Sequence, residues 1–302
     1  LRRSLRTALM VILMILISML VTSLMANSVD LWTVWTRLGD EEFYIATVVV
    51  LYFLLPQVQQ GLVLVLAVLL SSSLNIVLKY IFNMPRPPDP LIEVSGPSFP
   101  SGHAQVSSSF WSALSFIAMN KLITAISAIM VVGISISRVL LRAHYDIDVI
   151  SGALVGLVIG YTSYYSLTYY LKRRSHVLYY LSTGIAIAMS TCSMVIFNAE
   201  LSSSTAILGL SLAVLTILLA AKDRLARPPS SSVITRITTS LVSVVLLLSI
   251  HLATKSFDPL IRLICFYIAG LCVFAMPSVM SSTISKRSKS MVKSEVQRNV
   301  VA

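Results

Sequence analysis

Apolar stretches long enough to cross a bilayer recur from one end of this chain to the other, and that recurrence rules out a water-soluble domain. A transmembrane helix needs about 20 predominantly apolar residues. Such windows fall near residues 8–26, 43–56, 61–80, 104–120, 122–139, 148–171, 177–198, 204–221, 234–254 and 259–280. The second is short, and Ser107, Ser108 and Ser109 soften the fourth. A mean hydropathy of +0.86 with only 12% charged residues fits the same reading. The pattern predicts an all-α fold, a polytopic transmembrane helix bundle. Cys192, Cys265 and Cys272 are odd in number and lie inside apolar runs, so they read as small apolar residues rather than a disulfide framework.

A net charge of +11 would suit a nucleic-acid partner, but its distribution points to topology instead. With the N-terminus in the cytoplasm, alternating spans place Arg2, Arg3, Arg6, Lys121, Lys172, Arg173, Arg174, Lys222, Arg224, Arg227 and Arg236 on the cytoplasmic side. The basic tail over 282–302 joins them, as the positive-inside rule requires. Both termini are therefore expected in the cytoplasm of a multi-pass cell-membrane protein, with no nucleic-acid partner. Gly152, Gly156 and Gly160 repeat every four residues, which lets a neighbouring helix approach closely. Seven basic residues break the charge rule: Arg37, Lys79, Arg86, Arg138, Arg142, Lys255 and Arg262. Charge at a membrane boundary is costly unless it has a use. Lys255 and Arg262 are expected to snorkel towards headgroups, while His176 and His251 read as interfacial and structural.

The other exceptions lead to three polar stretches that end or begin spans on the non-cytoplasmic side: KYIFNMPRP (79–87), PSGH (100–103) and SRVLLRAHYDID (137–148). Together they hold several cations, two histidines and a carboxylate, so the natural occupant is a phosphoryl group. Lys79 offers a mobile charge, and Arg86 and Arg138 can each grip two oxygens. The turn at Ser101 and Gly102 adds backbone N–H groups at a helix N-terminus. His144 and Asp148 are four apart and can share one helix face, leaving one imidazole nitrogen free to attack phosphorus. His103 is then the donor to the leaving oxygen. Arg142 and Asp146 read as salt-bridging or rim residues, and Asp89 and Glu93 as solvating their loop. No HExxH, paired carboxylates or Cys/His ligand spacing is present, so no metal and no cofactor are expected.

The ordered pattern Lys-x6-Arg-Pro, Pro-Ser-Gly-His and Ser-Arg-x5-His-x3-Asp resembles that of the type 2 phosphatidic acid phosphatase superfamily. The resemblance implies that Lys79, Arg86, Ser101, Gly102 and Arg138 bind phosphate. It also implies that His144 forms a phosphohistidine oriented by Asp148, and that His103 protonates the leaving group. It implies a six-helix phosphatase core over residues 1–171, followed by about four additional transmembrane helices over 172–281 that the resemblance does not cover.

The expected activity is metal-independent hydrolysis of a lipid phosphate in the membrane. A polyprenyl diphosphate is preferred because the site faces away from the cytoplasm, with phosphatidic acid or phosphatidylglycerol phosphate as the alternative. A phosphotransferase would use the same residues, and a transporter or scaffold built on this core is the non-enzymatic alternative. Homo-oligomers are compatible with the sequence.

Overall fold

The computed structural model describes residues 2–198, 200–220 and 232–276. Within them the regular elements are helices: α1 (Arg2–Ala26), α2 (Val29–Arg37), α3 (Glu41–Leu54), α4 (Val58–Phe82), α5 (Gly102–Ala118), α6 (Lys121–Leu140), α7 (Asp146–Arg173), α8 (Val177–Val195), α9 (Leu201–Ala220), α10 (Val233–Ala253) and α11 (Pro259–Met276). Among the described residues, eight helices are long and apolar enough to cross a bilayer: α1, α4 and α6 to α11. The chain is thus an all-α, multi-pass membrane protein. The end of the expected last span, the basic tail, and Lys222, Arg224 and Arg227 lie outside the described residues.

Two of the ten expected spans are shorter than a full crossing. α3 has 14 residues and α5 has 17; at 1.5 Å per residue they rise about 21 and 26 Å, less than the ~30 Å hydrocarbon core. The missing length goes into turns, since Pro56 separates α3 from α4 and a Pro-Ser turn precedes α5. Both helices still run through the bundle. α3 packs on α4, and α5 packs against α4, α6 and α7.

α2 is not among the expected elements, because nine residues do not register in a window of 20. Its Trp32 and Trp35 are buried against α6. Gly133 makes room there, since a Cβ at that position would collide with the Trp35 ring. Trp35 Nε1 donates to Ser23 Oγ at 3.2 Å, which ties α2 back to α1. This short helix therefore fixes where the chain enters α3.

The glycine repeat of α7 receives α5. A Cβ on Gly152 would stand 2.6 Å from Ser101 O, and Cβ atoms on Gly156 and Gly160 would collide with Gln105 O and Ser112 Oγ. The serines that soften the fourth hydropathy window are used in the same packing. Ser108 Oγ donates to Ala153 O at 2.7 Å and Ser109 Oγ to Ala67 O at 2.9 Å. Polar side chains in an apolar helix thereby become interhelical ties.

The later helices flank α3 and α4. α8 packs on α4, α9 on α8 and α4, and α10 on α3. α11 lies close to α9, where a Cβ on Gly209 would stand 2.6 Å from Leu263 O. One buried apolar cluster runs through both groups, from Tyr44 and Tyr52 through Leu66 and Phe110 to Val214 and Phe274. Arg236 donates to Phe53 O at 2.6 Å and Leu55 O at 2.7 Å, fastening the start of α10 to the end of α3. The three polar stretches gather at the opposite end of the bundle.

Candidate active site

Helix ends converge here: α4 and α6 arrive, while α3, α5 and α7 depart. α4 stops at Asn83, whose left-handed backbone (φ 43) turns the chain and whose N–H donates to Lys79 O. The loop that follows carries Arg86 and Ser98, and Ser98 N donates to Met84 O at 2.8 Å. After a cis Phe99–Pro100 peptide, Ser101 caps α5. Ser101 N donates to Asp148 O at 3.0 Å, so the second and third motifs are joined by a main-chain bond.

His144 is 3% exposed and Asp148 1%. Asp148 Oδ2 receives the Tyr145 N–H at 2.9 Å and lies 3.4 Å from His144 Nδ1. Ser98 Oγ donates to the same oxygen and stands 3.3 Å from Nδ1. A carboxylate can only accept, so Nδ1 carries the hydrogen and Nε2 keeps its lone pair. On that side Arg86 Nη1 sits 3.3 Å from Nε2. Burial pushes His144 down to about 3; the Asp148 hydrogen bond opposes this, and the cations Arg138, Arg86 and Lys79 reinforce it. The ring is neutral at ordinary pH, so its Nε2 lone pair is available to accept a proton or a bond.

Arg86 is held by three carbonyls: Gly96 O at 2.9 Å, Ala143 O at 2.8 Å and Ser95 O at 2.6 Å. Arg138 is buried, with Nη1 donating to Thr36 Oγ1 at 2.7 Å and Nε without a partner. A buried guanidinium donor left unused costs stability, and an anion would repay it. Lys79 is also buried, with Nζ 3.9 Å from Glu200 Oε1. His103 Nε2 lies 2.9 Å from Asp40 Oδ1. Gly39, just before Asp40, has no room for a side chain: a Cβ there would stand 2.7 Å from His103 Cδ2. At Gly102 the neighbour is Asn75 Oδ1, 2.9 Å from a built Cβ. The Asn75 amide itself donates to Pro100 O at 3.2 Å and Gln105 Oε1 at 2.9 Å, securing the PSGH turn from α4.

Six of the eight residues singled out in the sequence, Lys79, Arg86, Gly102, His103, Arg138 and His144, line one cavity of about 1010 Å³. Asp148 and Ser101 stand behind that lining. Ser101 is fully buried and faces Ala104 N at 3.5 Å as a helix cap. Four residues that sequence reasoning did not select join the cluster: Asp40, Thr36, Ser98 and Glu200. Asp40 and Thr36 belong to the α2–α3 segment, and Glu200 to the turn before α9. Only Asp40 left a trace, as the first of three acids at the head of a span.

Other expectations need revision. Arg262 does not snorkel. It is 1% exposed and donates to Ser202 O, His251 O and Thr254 Oγ1. Its tight setting between α9 and α10 makes it an internal brace. Lys255 pairs with Glu42 at 3.3 Å, as does His251 Nε2. Arg142 and Asp146 are exposed and joined by no ion pair among the described residues. Glu93 reaches the cavity lining. The three cysteines are free. No cluster of three or more potential metal ligands occurs among the described residues.

Two carboxylate-held histidines and three cations gather around one cavity, an arrangement with the charge to hold a phosphoryl group. Residues 60–172, which contain all three motifs, match the model of the PAP2 superfamily. Through this segment the chain resembles the type 2 phosphatidic acid phosphatase superfamily. It is similar to phosphatidylglycerophosphatase B of Bacillus subtilis (strain 168), at 28% identity over 137 residues, covering 41% of this chain and 68% of that relative. No solved structure matches the chain.

Proposed function

We propose that this protein is an integral-membrane lipid phosphate phosphatase that works through a phosphohistidine on His144, without a divalent metal. The observation that carries the proposal is the cavity. Its polar end collects Lys79, Arg86, Arg138 and both histidines, and the same space continues between apolar helices. An amphiphile with a phosphate at one end fits that division.

In the first step the Nε2 lone pair of His144 attacks phosphorus, and the bond to the leaving oxygen breaks. Asp148 keeps Nδ1 protonated and stabilises the charge that the ring acquires. Lys79, Arg86, Arg138 and the N–H groups at Gly102 hold the other phosphoryl oxygens, supplying the charge stabilisation that a metal ion gives elsewhere. With Nε2 of His103 engaged by Asp40, its Nδ1 is the atom that passes a proton to the leaving oxygen. In the second step a water attacks phosphorus, His103 takes its proton, and the N–P bond breaks. Phosphate and the original His144 are recovered.

The preferred substrate is a polyprenyl diphosphate presented on the non-cytoplasmic face. Phosphatidylglycerol phosphate is the second reading, favoured by the name of the Bacillus subtilis relative. The orientation rests on Arg3, Arg6, Lys121, Lys172, Arg173, Arg174 and Arg236, which belong to helix ends remote from the site. Residues 1–171 are proposed as the phosphatase core, 172–281 as added helices and 282–302 as a basic cytoplasmic tail. The test is phosphate release by purified protein in detergent with chelator present, offered polyprenyl diphosphate, phosphatidylglycerol phosphate and phosphatidic acid side by side. Strong preference for the first supports the substrate assignment, and strong preference for either glycerolipid replaces it. Activity only on added divalent metal would overturn the metal-free mechanism.

A further inference from the structure

The helices beyond the matched segment share a cavity with the catalytic residues. Val48 of α3, Val65 of α4, Ala206 and Leu210 of α9, Leu247 of α10 and Phe274 of α11 line the same space as His103 and His144. Along α4 the lining runs from Lys79 down to Val65, fourteen residues or about 21 Å at 1.5 Å per residue. That is about two thirds of the hydrocarbon thickness of a bilayer.

Protein interiors are close-packed, so a long space of this kind among apolar side chains is not ordinary core. Water gains little there, because an apolar wall offers it few partners. A hydrocarbon chain matches both the lining and the length. Continuity fixes the occupant, since the apolar space opens directly onto the cationic cluster.

We infer that α9, α10 and α11 build a hydrocarbon-chain compartment for the substrate, so that the phosphate is held by the motif residues while its tail lies between α3, α4 and the added helices. This gives the added helices a role in recognition. It rests on the phosphatase reading but goes beyond it, because that reading needs only the polar end.

The test is a series of alkyl phosphates, from butyl to hexadecyl, in mixed micelles at fixed surface concentration, with phosphate release as readout. The wild-type kcat/KM is expected to climb with chain length and to level off once the chain fills the compartment. Ala206→Trp, which blocks the space at α9, should lower kcat/KM for hexadecyl phosphate at least about tenfold while leaving butyl phosphate within about twofold, because only the tail meets the new ring. A flat wild-type series, or unchanged hexadecyl turnover in Ala206→Trp, would overturn the inference and leave the phosphatase reading standing. If Ala206→Trp loses butyl turnover as well, the wild-type series and Leu210→Ala decide. A preference moved towards longer chains in Leu210→Ala supports the compartment, and an unmoved one rejects it. Release from no ester at all would remove the phosphatase reading and the inference with it.

Discussion

His144 and His103 are each held through one ring nitrogen by a carboxylate, but the two carboxylates come from very different distances in the sequence. Asp148 is four residues from His144, whereas Asp40 is 63 residues from His103. Replacing His144 with Ala should reduce phosphate release by about 10³-fold or more, measured with a lipid phosphate in detergent, because the proposed mechanism loses its attacking atom. Asp40→Asn should reduce kcat by about 10²-fold for an alkyl phosphate, within the usual range for acid–base catalysis. An aryl phosphate, whose leaving group needs no proton, should be largely spared. Equal losses on both esters would mean that Asp40 only supports the fold. Burial also gives His144 a signature in stability. The folded ring stays neutral to about pH 3, while an unfolded histidine titrates near 6.5. The unfolded chain therefore binds the proton first, so this contribution is complete above pH 6.5 and is lost progressively as pH falls towards 3. Between pH 6.5 and 5 the loss is about 2 kcal/mol, and His144→Gln should flatten that part of a thermal-melt series. The His144–Asp148 pair is legible in the sequence because i, i+4 spacing on a helix start is local geometry. Asp40, Thr36 and Glu200 are not, because chain reversals across several helices bring them in.

Among the elements, long helices are legible because apolar length leaves them no alternative in a bilayer. α2 is not, since its nine residues acquire meaning only from the α6 surface that buries Trp32 and Trp35. The α7 glycines announce a close neighbour without saying which, and the neighbour proves to be α5. Gly156→Leu should destabilise the protein in detergent by about 1–3 kcal/mol or more, because the added atoms collide with the main chain of α5 rather than with a movable side chain. Gly184→Ala on α8 meets nothing within 4 Å and serves as the control, with an unchanged melting temperature expected.

At the scale of the whole molecule, the amphiphilic division of the cavity depends on helices that the motifs say nothing about. Orientation belongs to this scale as well. A cysteine at Pro90, in the exposed loop of the site face, placed in a background with Cys192, Cys265 and Cys272 replaced, should react with an impermeant thiol reagent from outside intact cells. Protection there, with labelling after lysis, would place the site on the cytoplasmic side. The polar end of the cavity is legible in the motif spacing, because cations and histidines stand out against apolar helices. Its apolar length is not, because residues such as Val48, Ala206 and Phe274 look like any other membrane-helix residue until their neighbours are known.

The tight seating of α5 on α7, together with the bond from Ser101 N to Asp148 O, has a mechanical consequence. The turn that carries His103 and the helix that carries Asp148 behave as one rigid body, with little freedom to swing apart. Parting these two elements would break that bond and that packing, whereas displacing α9, α10 or α11 on the opposite wall would leave both intact. If lipid enters by helix displacement, α9, α10 and α11 are the elements that can yield without disturbing the His103 and Asp148 geometry.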